Sequence, residues 1–173
     1  KAKELNISNF KGDYKKLSDS EKIKEISNLK GILQINTFKN DLVLKTLGSI
    51  RSMKQIQKLN GERGSNRYII SNTQSAINIL ELFSMFNMCN WNHTTVDIIP
   101  LFETISDLKV SSKIMESVYN NTKYREHLSR RNNQQIIMLG FSDGTKDGGY
   151  LMANWSILKA KESLTSISRK YGL

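Results

Sequence analysis

Short apolar runs rich in β-branched residues alternate with longer amphipathic stretches over the second part of the chain. The runs lie at residues 67–71, 96–102 and 134–141, and each precedes a stretch whose apolar residues recur at helical spacings. Such alternation is typical of parallel βα units. The later two runs are almost continuously apolar, as in strands covered on both faces. The sequence therefore predicts an α/β fold with three parallel βα units.

The first part of the chain has helical patterns and no strand-like run. A capping-box pattern at Ser18 predicts a short helix that ends near Gly31. A longer helix is predicted from about Thr37 to Leu59, with an asparagine–glycine pair after it. We therefore expect residues 1–61 to form a helical scaffold and residues 62–173 to carry the three βα units, within one domain.

The chain is strongly basic, with 26 Lys and Arg against 16 Asp and Glu and a net charge of +10. A basic chain of this size suggests a stand-alone module that binds nucleic acid or phosphate. Most of the excess lies in residues 1–61, where lysines are spread over helical patterns with few aromatic residues among them. Lysines in that setting are typical of solvated helix faces. We therefore keep a basic binding module as the alternative and an enzyme as the main hypothesis.

Cysteine and hydropathy limit the class of protein further. Cys89 is the single cysteine, which excludes an internal disulfide and a zinc site built from several thiolates of this chain. No apolar run reaches the length of about 18 residues that a membrane-spanning helix needs, and the first residues do not resemble a signal peptide. We expect a cytoplasmic protein that does not associate with membranes.

Two carboxylates follow predicted strands at matching places. Glu103 ends the second apolar run, and Asp143 follows the third. Ligands of parallel α/β folds bind at the carboxyl ends of strands, and carboxylates without a nearby histidine or cysteine favour Mg²⁺ or Mn²⁺ over Zn²⁺. The alternative for Glu103 is a cap on the helix that starts near Ser106, since acidic residues are favoured at helix N-termini.

The segment FSDGTKDGG, residues 141–149, joins the third run to the last helix. Its three glycines would let the backbone turn sharply and direct amide groups at an anion, and Lys146 would add a positive charge. The alternative is a flexible loop in which Asp147 caps the next helix. These residues alone predict a metal and phosphate site.

Two long motifs carry a family resemblance. IIPLFETISDL, residues 98–108, and IIMLGFSDGTKDGGYLMANW, residues 136–155, resemble the middle of phosphoenolpyruvate carboxylase, in the right order. The flanking segments agree, and the resemblance fades before about residue 60. Gly144 and Thr145 replace the family's common Ser followed by Ala, Gly or Ser, and Gly148 replaces a frequent Ala; these changes keep the charged groups.

The resemblance implies a lyase that joins bicarbonate to phosphoenolpyruvate, giving oxaloacetate and phosphate, on a TIM-type α/β barrel. Glu103 and Asp143 match the carboxylates that bind Mg²⁺ or Mn²⁺. Lys146 matches the motif lysine that attracts bicarbonate or carboxyphosphate, and with Gly148 and Gly149 it would hold phosphate. The expected partners are phosphoenolpyruvate and bicarbonate, with no nucleic acid and no membrane.

The resemblance also implies that the active site extends beyond these residues. The family's catalytic histidine lies in a Thr-Ala-His-Pro-Thr segment, whereas His93 and His127 have other neighbours, and its arginine-rich loop has no counterpart here. We therefore expect residues 1–173 to be an internal fragment of a larger, homo-oligomeric cytoplasmic enzyme. This fragment would form part of the barrel and would be inactive by itself.

Overall fold

The computed structural model describes residues 13–29, 33 and 38–173. Within these ranges the chain forms six α-helices, three β-strands and two short 3₁₀ turns. In chain order the helices and strands are α1 (Asp19–Asn28), α2 (Asp41–Asn60), β1 (Arg67–Ile70), α3 (Ala76–Met88), β2 (Asp97–Phe102), α4 (Ile105–Tyr119), α5 (Thr122–Arg130), β3 (Met138–Leu139) and α6 (Ser142–Lys170).

The chain divides into two compact units. The first unit comprises residues 1–66 and 80–96, and the second comprises residues 67–79 and 97–173. Helix α3 therefore starts in the second unit and continues in the first from Leu80. The sheet and both predicted carboxylates belong to the second unit, whereas the N-terminal helices belong to the first.

The short helix predicted in the first unit is confirmed. The Ser18 hydroxyl accepts a hydrogen bond from the Glu21 amide, and the Glu21 carboxylate accepts one from the Ser18 amide at 2.8 Å. This reciprocal capping box satisfies N–H groups that a helix start leaves without partners. Helix α1 ends at Asn28, with Leu29 as its C-cap; Gly31, the predicted end, lies outside the described residues.

The predicted start of the second helix is wrong. Thr37 lies outside the described residues, but residues 38–40 are not helical and α2 begins at Asp41. The Asn40 side chain accepts hydrogen bonds from the amides of Leu42 and Val43, which makes Asn40 the N-cap. The apolar pattern continued across the true start, so it could not locate this cap. The predicted end is confirmed, since Gly61 follows α2 with φ of 81°.

The second unit contains a parallel sheet with strand order β1–β2–β3. Strand β2 lies in the middle, and four of its six residues are buried. Ile98 pairs with Tyr68 of β1, and Phe102 pairs with Leu139 of β3. The predicted α/β fold with three parallel βα units is therefore confirmed for these strands.

The third strand is shorter than the apolar run predicts. Strand β3 covers Met138–Leu139 only, although the run begins at residue 134. The Gln135 side-chain amide donates to the carbonyl oxygens of Ile98 at 2.9 Å and of Ile136 at 2.7 Å. A side chain thus occupies a β2 carbonyl that a longer strand pairing would use, and the regular pairing starts only at Met138.

Helix α5, Thr122–Arg130, was not predicted, because its sequence is mostly polar. Asn121 caps its start by accepting a hydrogen bond from the Tyr124 amide at 3.0 Å. Its buried residues are Tyr124, His127 and Leu128, a narrow stripe on an otherwise charged helix. Three buried side chains in nine residues give too weak an apolar signal for a confident helix prediction.

Several apolar side chains of the second unit remain exposed. In the described part of the chain, β1 and β3 each pair on one side only, and Ile69 of β1 is 51% exposed. Along α6, Leu151 is 82% exposed and Trp155 is 55% exposed. Among the described residues, no helix combines the length and the hydropathy needed to cross a membrane.

Candidate functional site

Glu103 directly follows the central strand β2 and is held by the end of β1. The backbone N–H of Asn72 donates a hydrogen bond to Glu103 Oε2 at 2.9 Å. Asn72 adopts a left-handed backbone with φ of 53°, which non-glycine residues take infrequently and which asparagine tolerates best. Two neighbouring strand ends are thus connected through this carboxylate. A carboxylate offers about four lone-pair sites, so one hydrogen bond leaves capacity for an ion.

Thr104, not Glu103, caps helix α4. The Thr104 hydroxyl accepts a hydrogen bond from the Asp107 amide, and Asp107 Oδ2 accepts one from the Thr104 amide, both at 3.1 Å. Asp107 is 5% exposed, so this second capping box is mostly buried. The alternative in which Glu103 serves as the helix cap is therefore wrong, and the Glu103 carboxylate is available for another role.

The segment FSDGTKDGG is mostly helical, which corrects the prediction of a sharply turning loop. Residues 142–148 have helical backbone angles and form the first part of α6. Gly149 then interrupts the helix with φ of 79° and ψ of 169°. The glycines misled the prediction because they disfavour helix in isolation, whereas only Gly149 uses the conformations that glycine alone adopts easily.

Asp143 and Lys146 lie in the helical turn of residues 142–148 and form an ion pair. Lys146 Nζ is 3.0 Å from Asp143 Oδ1, and the side chains of Lys146 and Asp143 are 78% and 51% exposed. Exposed pairs of this kind contribute little to stability and rearrange readily. Both groups are therefore accessible to solvent, in contrast to the half-buried Glu103.

The two carboxylate-bearing segments meet at their backbones. The Gly140 amide donates to the Phe102 carbonyl oxygen at 2.7 Å, directly before Glu103. A Cβ added to Gly140 would lie 3.0 Å from Glu103 Cα, and one added to Gly144 would lie 3.6 Å from the Glu103 carbonyl oxygen. The structure thus brings residues 140–144 of the second motif against Glu103, at the carboxyl end of the sheet.

Asp147 forms a second connection between the segments. Its Oδ2 atom accepts a hydrogen bond from the backbone N–H of Ile105 at 3.4 Å. The α4 capping box satisfies the Thr104 and Asp107 amides, so Asp147 adds a partner for another N–H of the same first turn. A Cβ on Gly148 would overlap Ile105 Cδ1. Asp147 therefore accepts a hydrogen bond from the first turn of α4, whereas the loop alternative expected it to cap the helix that follows it.

Sequence reasoning missed three contributors to this site. Asn72 acts through a backbone N–H, and Gly140 acts through the absence of a side chain; neither leaves a chemical signature in the sequence. The contact of Asp147 with α4 depends on a residue 42 positions away. Of the two histidines, His93 is exposed in the first unit and His127 is 1% exposed in α5, away from the carboxylate segments in sequence.

At the carboxyl end of the sheet, the carboxylates of Glu103 and Asp143 offer oxygen atoms as possible metal ligands. Within the described ranges, no group of three or more His, Cys, Asp or Glu side chains is close enough to hold a metal. Mg²⁺ differs from Zn²⁺ in that it commonly binds through one or two carboxylates and completes its shell with water and substrate phosphate. Glu103, directly after β2, and Asp143, four residues after the end of β3, provide oxygen donors of the kind that such a site uses.

The chain has a parallel α/β sheet with a carboxylate after each of two neighbouring strands. In α/β folds of this class, ligands bind at the carboxyl ends of the strands. The family model of phosphoenolpyruvate carboxylase matches residues 3–173. The chain therefore belongs to the phosphoenolpyruvate carboxylase family. Because the match begins at residue 3, the N-terminal helices belong to it too, and the expectation that the resemblance fades before about residue 60 is wrong.

Members of this family are carbon-fixing lyases that act on phosphoenolpyruvate and bicarbonate and use a divalent metal ion. The family match supports a phosphoenolpyruvate carboxylase fragment. It agrees with the α/β fold and with the resemblance of residues 98–108 and 136–155.

Proposed function

We propose that this chain supplies the metal-binding edge of a carboxylase that joins bicarbonate to phosphoenolpyruvate, giving oxaloacetate and phosphate. The observation that carries the proposal is the junction of two motifs at the carboxyl end of the sheet. The Gly140 amide donates to the Phe102 carbonyl oxygen directly before Glu103, and the segment after Gly140 carries Asp143 and Lys146. The family match over residues 3–173 supports this reaction as the proposal.

Glu103 and Asp143 are the proposed ligands of Mg²⁺ or Mn²⁺. The Asn72 amide orients Glu103, whereas Asp143 is exposed and would exchange its ion pair with Lys146 for the metal. When bound, the ion would act as a Lewis acid toward the negative charge that develops on substrate oxygens. The protein contributes by keeping the two carboxylates on neighbouring elements.

Lys146 is the proposed catalytic cation, and it would attract bicarbonate or carboxyphosphate. Its ammonium group is 78% exposed and is held only by the Asp143 pair among the ion pairs described, so it can move to an incoming anion at little energetic cost. Gly148 and Gly149 are the proposed phosphate-binding positions. The break at Gly149 starts a new helical stretch whose first N–H groups lack partners within the helix and favour an anion.

The chain would act as part of a larger, homo-oligomeric enzyme of the cytoplasm. Closing a TIM-type barrel takes about eight strands, whereas the described residues supply three. The exposed Ile69 on β1 and Met138 on β3 are the apolar side chains that further strands would cover. The isolated chain should therefore self-associate, and it should make no oxaloacetate.

Binding of Mn²⁺ to the 173-residue chain tests the metal site directly. Glu103→Gln and Asp143→Asn should each abolish measurable binding in a calorimetric titration, because each variant removes one of two protein ligands. Glu162→Gln, which changes an exposed carboxylate of α6 paired with Lys159, is the matched control and should bind as the unmodified chain does. Unchanged affinity in either ligand variant would contradict the proposed site.

The reaction is tested by bicarbonate-dependent formation of oxaloacetate in the presence of Mg²⁺. The 173-residue chain should give none, since losing a general base alone typically costs about 10² to 10⁴ in rate. An enzyme that contains this chain should be active, and it should lose activity when it carries Asp143→Asn. Turnover by the 173-residue chain, or full activity of that variant, would contradict the proposed roles.

A further inference from the structure

We infer that Gly140 is a positioning residue, which sets the distance between Glu103 and the segment that carries Asp143 and Lys146. The inference rests on the proposed function, because it concerns the same carboxylates. Gly140 lies between β3 and α6 and has no functional group of its own. Its contribution is the space that a side chain would otherwise take.

The contacts around Gly140 are with backbone and with Glu103 itself. A Cβ at this position would lie 3.0 Å from Glu103 Cα, 3.3 Å from the Phe102 carbonyl oxygen and 3.4 Å from Glu103 Cγ. Ordinary van der Waals contact between such carbon atoms is about 3.5 to 4.0 Å. The nearest atom belongs to the backbone at the end of β2, so it cannot move aside by changing a rotamer. An alanine would therefore push the second segment and Glu103 apart.

A hydrogen bond keeps this close approach in register. The Gly140 amide donates to the Phe102 carbonyl at 2.7 Å, one residue beyond the Phe102–Leu139 pairing. The sheet contact thus continues up to the residue that precedes Glu103. Relieving the clash of an alanine would lengthen this bond or displace Glu103 from the Asn72 amide.

Gly144 offers a matched comparison within the same segment. A Cβ on Gly144 would make ordinary contacts, 3.6 Å from Ala153 Cβ and 3.6 Å from the Glu103 carbonyl oxygen. Gly144 also has helical backbone angles, so alanine is compatible with its conformation. Gly140→Ala and Gly144→Ala are therefore the same chemical change, four positions apart, with opposite steric outcomes.

The first measurement is Mn²⁺ affinity of the 173-residue chain by calorimetric titration. Gly140→Ala should weaken binding by about tenfold or more, the range found when the support of a metal ligand is removed. Gly144→Ala should bind as tightly as the unmodified chain. If Glu103→Gln abolishes binding, equal affinities for Gly140→Ala and the unmodified chain would overturn the inference.

The second measurement is hydrogen exchange of individual amides by nuclear magnetic resonance. In Gly140→Ala the Asn72 amide, which donates to Glu103, should exchange faster, whereas amides that join β1 to β2 should keep their protection. If all amides lose protection together, Gly140 serves the fold as a whole and the positioning role is overturned. An unchanged Asn72 amide would also overturn it.

The two measurements separate this inference from the proposed function. If Glu103→Gln leaves Mn²⁺ binding unchanged, the metal site is refuted, and the exchange of the Asn72 amide still decides whether Gly140 positions Glu103. If Glu103→Gln abolishes binding while Gly140→Ala has no effect on either measurement, the metal site stands and the role of Gly140 falls.

Discussion

The two segments that carry the proposed metal ligands are built in opposite ways. The segment with Glu103 follows a six-residue strand that is largely buried, and a mostly buried capping box starts the next helix. The segment with Asp143 follows a two-residue strand and contains three glycines and an exposed ion pair. The first segment is held by its own core, whereas the second is held by its contacts with the first. The Glu103 segment is therefore the support against which the Asp143 segment is positioned.

The largest expected effect comes from removing the core under the Glu103 segment. Phe102 is 0% exposed, and Phe102→Ala should lower the free energy of unfolding by about 3 to 5 kcal/mol. Met138, in the strand paired with it, is 44% exposed, and Met138→Ala should cost about 1 kcal/mol. Urea unfolding of both variants measures the difference. Similar losses of unfolding free energy in the two variants would contradict the expected difference between β2 and β3.

Raising the pH above 10.0 should destabilise the folded chain through Tyr119, which lies in the helix that follows Glu103. Burial raises the pKa of Tyr119 in α4 to about 12, from 10.0 in the unfolded chain. Between these values the folded phenol keeps its proton while the unfolded one loses it, so Tyr119 alone should lower the unfolding free energy by about 1.4 kcal/mol per pH unit, in addition to the decline from other buried tyrosines. The contribution is fully present below pH 10.0. Urea unfolding at several pH values should show a shallower decline for Tyr119→Phe, and parallel declines would contradict this assignment.

The two carboxylates at the start of α4 should differ in importance. Asp107→Ala removes a buried capping box and should lower the unfolding free energy by about 1 kcal/mol. Asp147→Ala removes a longer hydrogen bond from an exposed residue and should cost about 0.5 kcal/mol. Faster exchange of the Ile105 amide in Asp147→Ala, but not in Glu162→Ala, would confirm the connection. A larger loss of unfolding free energy in Asp147→Ala than in Asp107→Ala would contradict the expected order.

The smallest effect on stability is expected from the exposed ion pair. Lys146→Ala breaks a pair whose side chains are 78% and 51% exposed, and it should change the unfolding free energy by less than about 0.5 kcal/mol. An enzyme that contains this chain should nevertheless lose carboxylation activity with the same change. Stability and activity are thus measured on one variant. A large loss of stability would show that the second segment is more tightly built than the structure indicates.

The sequence predicted the Glu103 segment better than the Asp143 segment, and the reason is physical. Strand β2 depends on a local pattern, namely an apolar run, whereas the capping box of Thr104 and Asp107 was not predicted although its spacing of three is local too. The short β3, the helical turn at residues 142–148 and the role of Asp147 depend on contacts with β2 and α4. Local propensity favoured a loop there, and tertiary contacts outweighed it.

The positions of the two carboxylates after their strands could be predicted from sequence, because such a position is a local property. The supports of Glu103 could not be identified in that way. Asn72 contributes through a left-handed backbone, and Gly140 contributes through the volume that it leaves empty. Neither feature depends on a functional side chain, so no pattern of polar or apolar positions reports it.

The break at Gly149 has a consequence for substitutions in α6. With φ of 79° and ψ of 169°, this residue separates the turn that bears Asp143 and Lys146 from the rest of the helix, which continues to Lys170. A helix transmits small displacements along its axis, and an interruption of its hydrogen bonds reduces that transmission. Substitutions farther along α6 should thus disturb the turn of residues 142–148 less than they would in an unbroken helix, so that this turn keeps its alignment with β2.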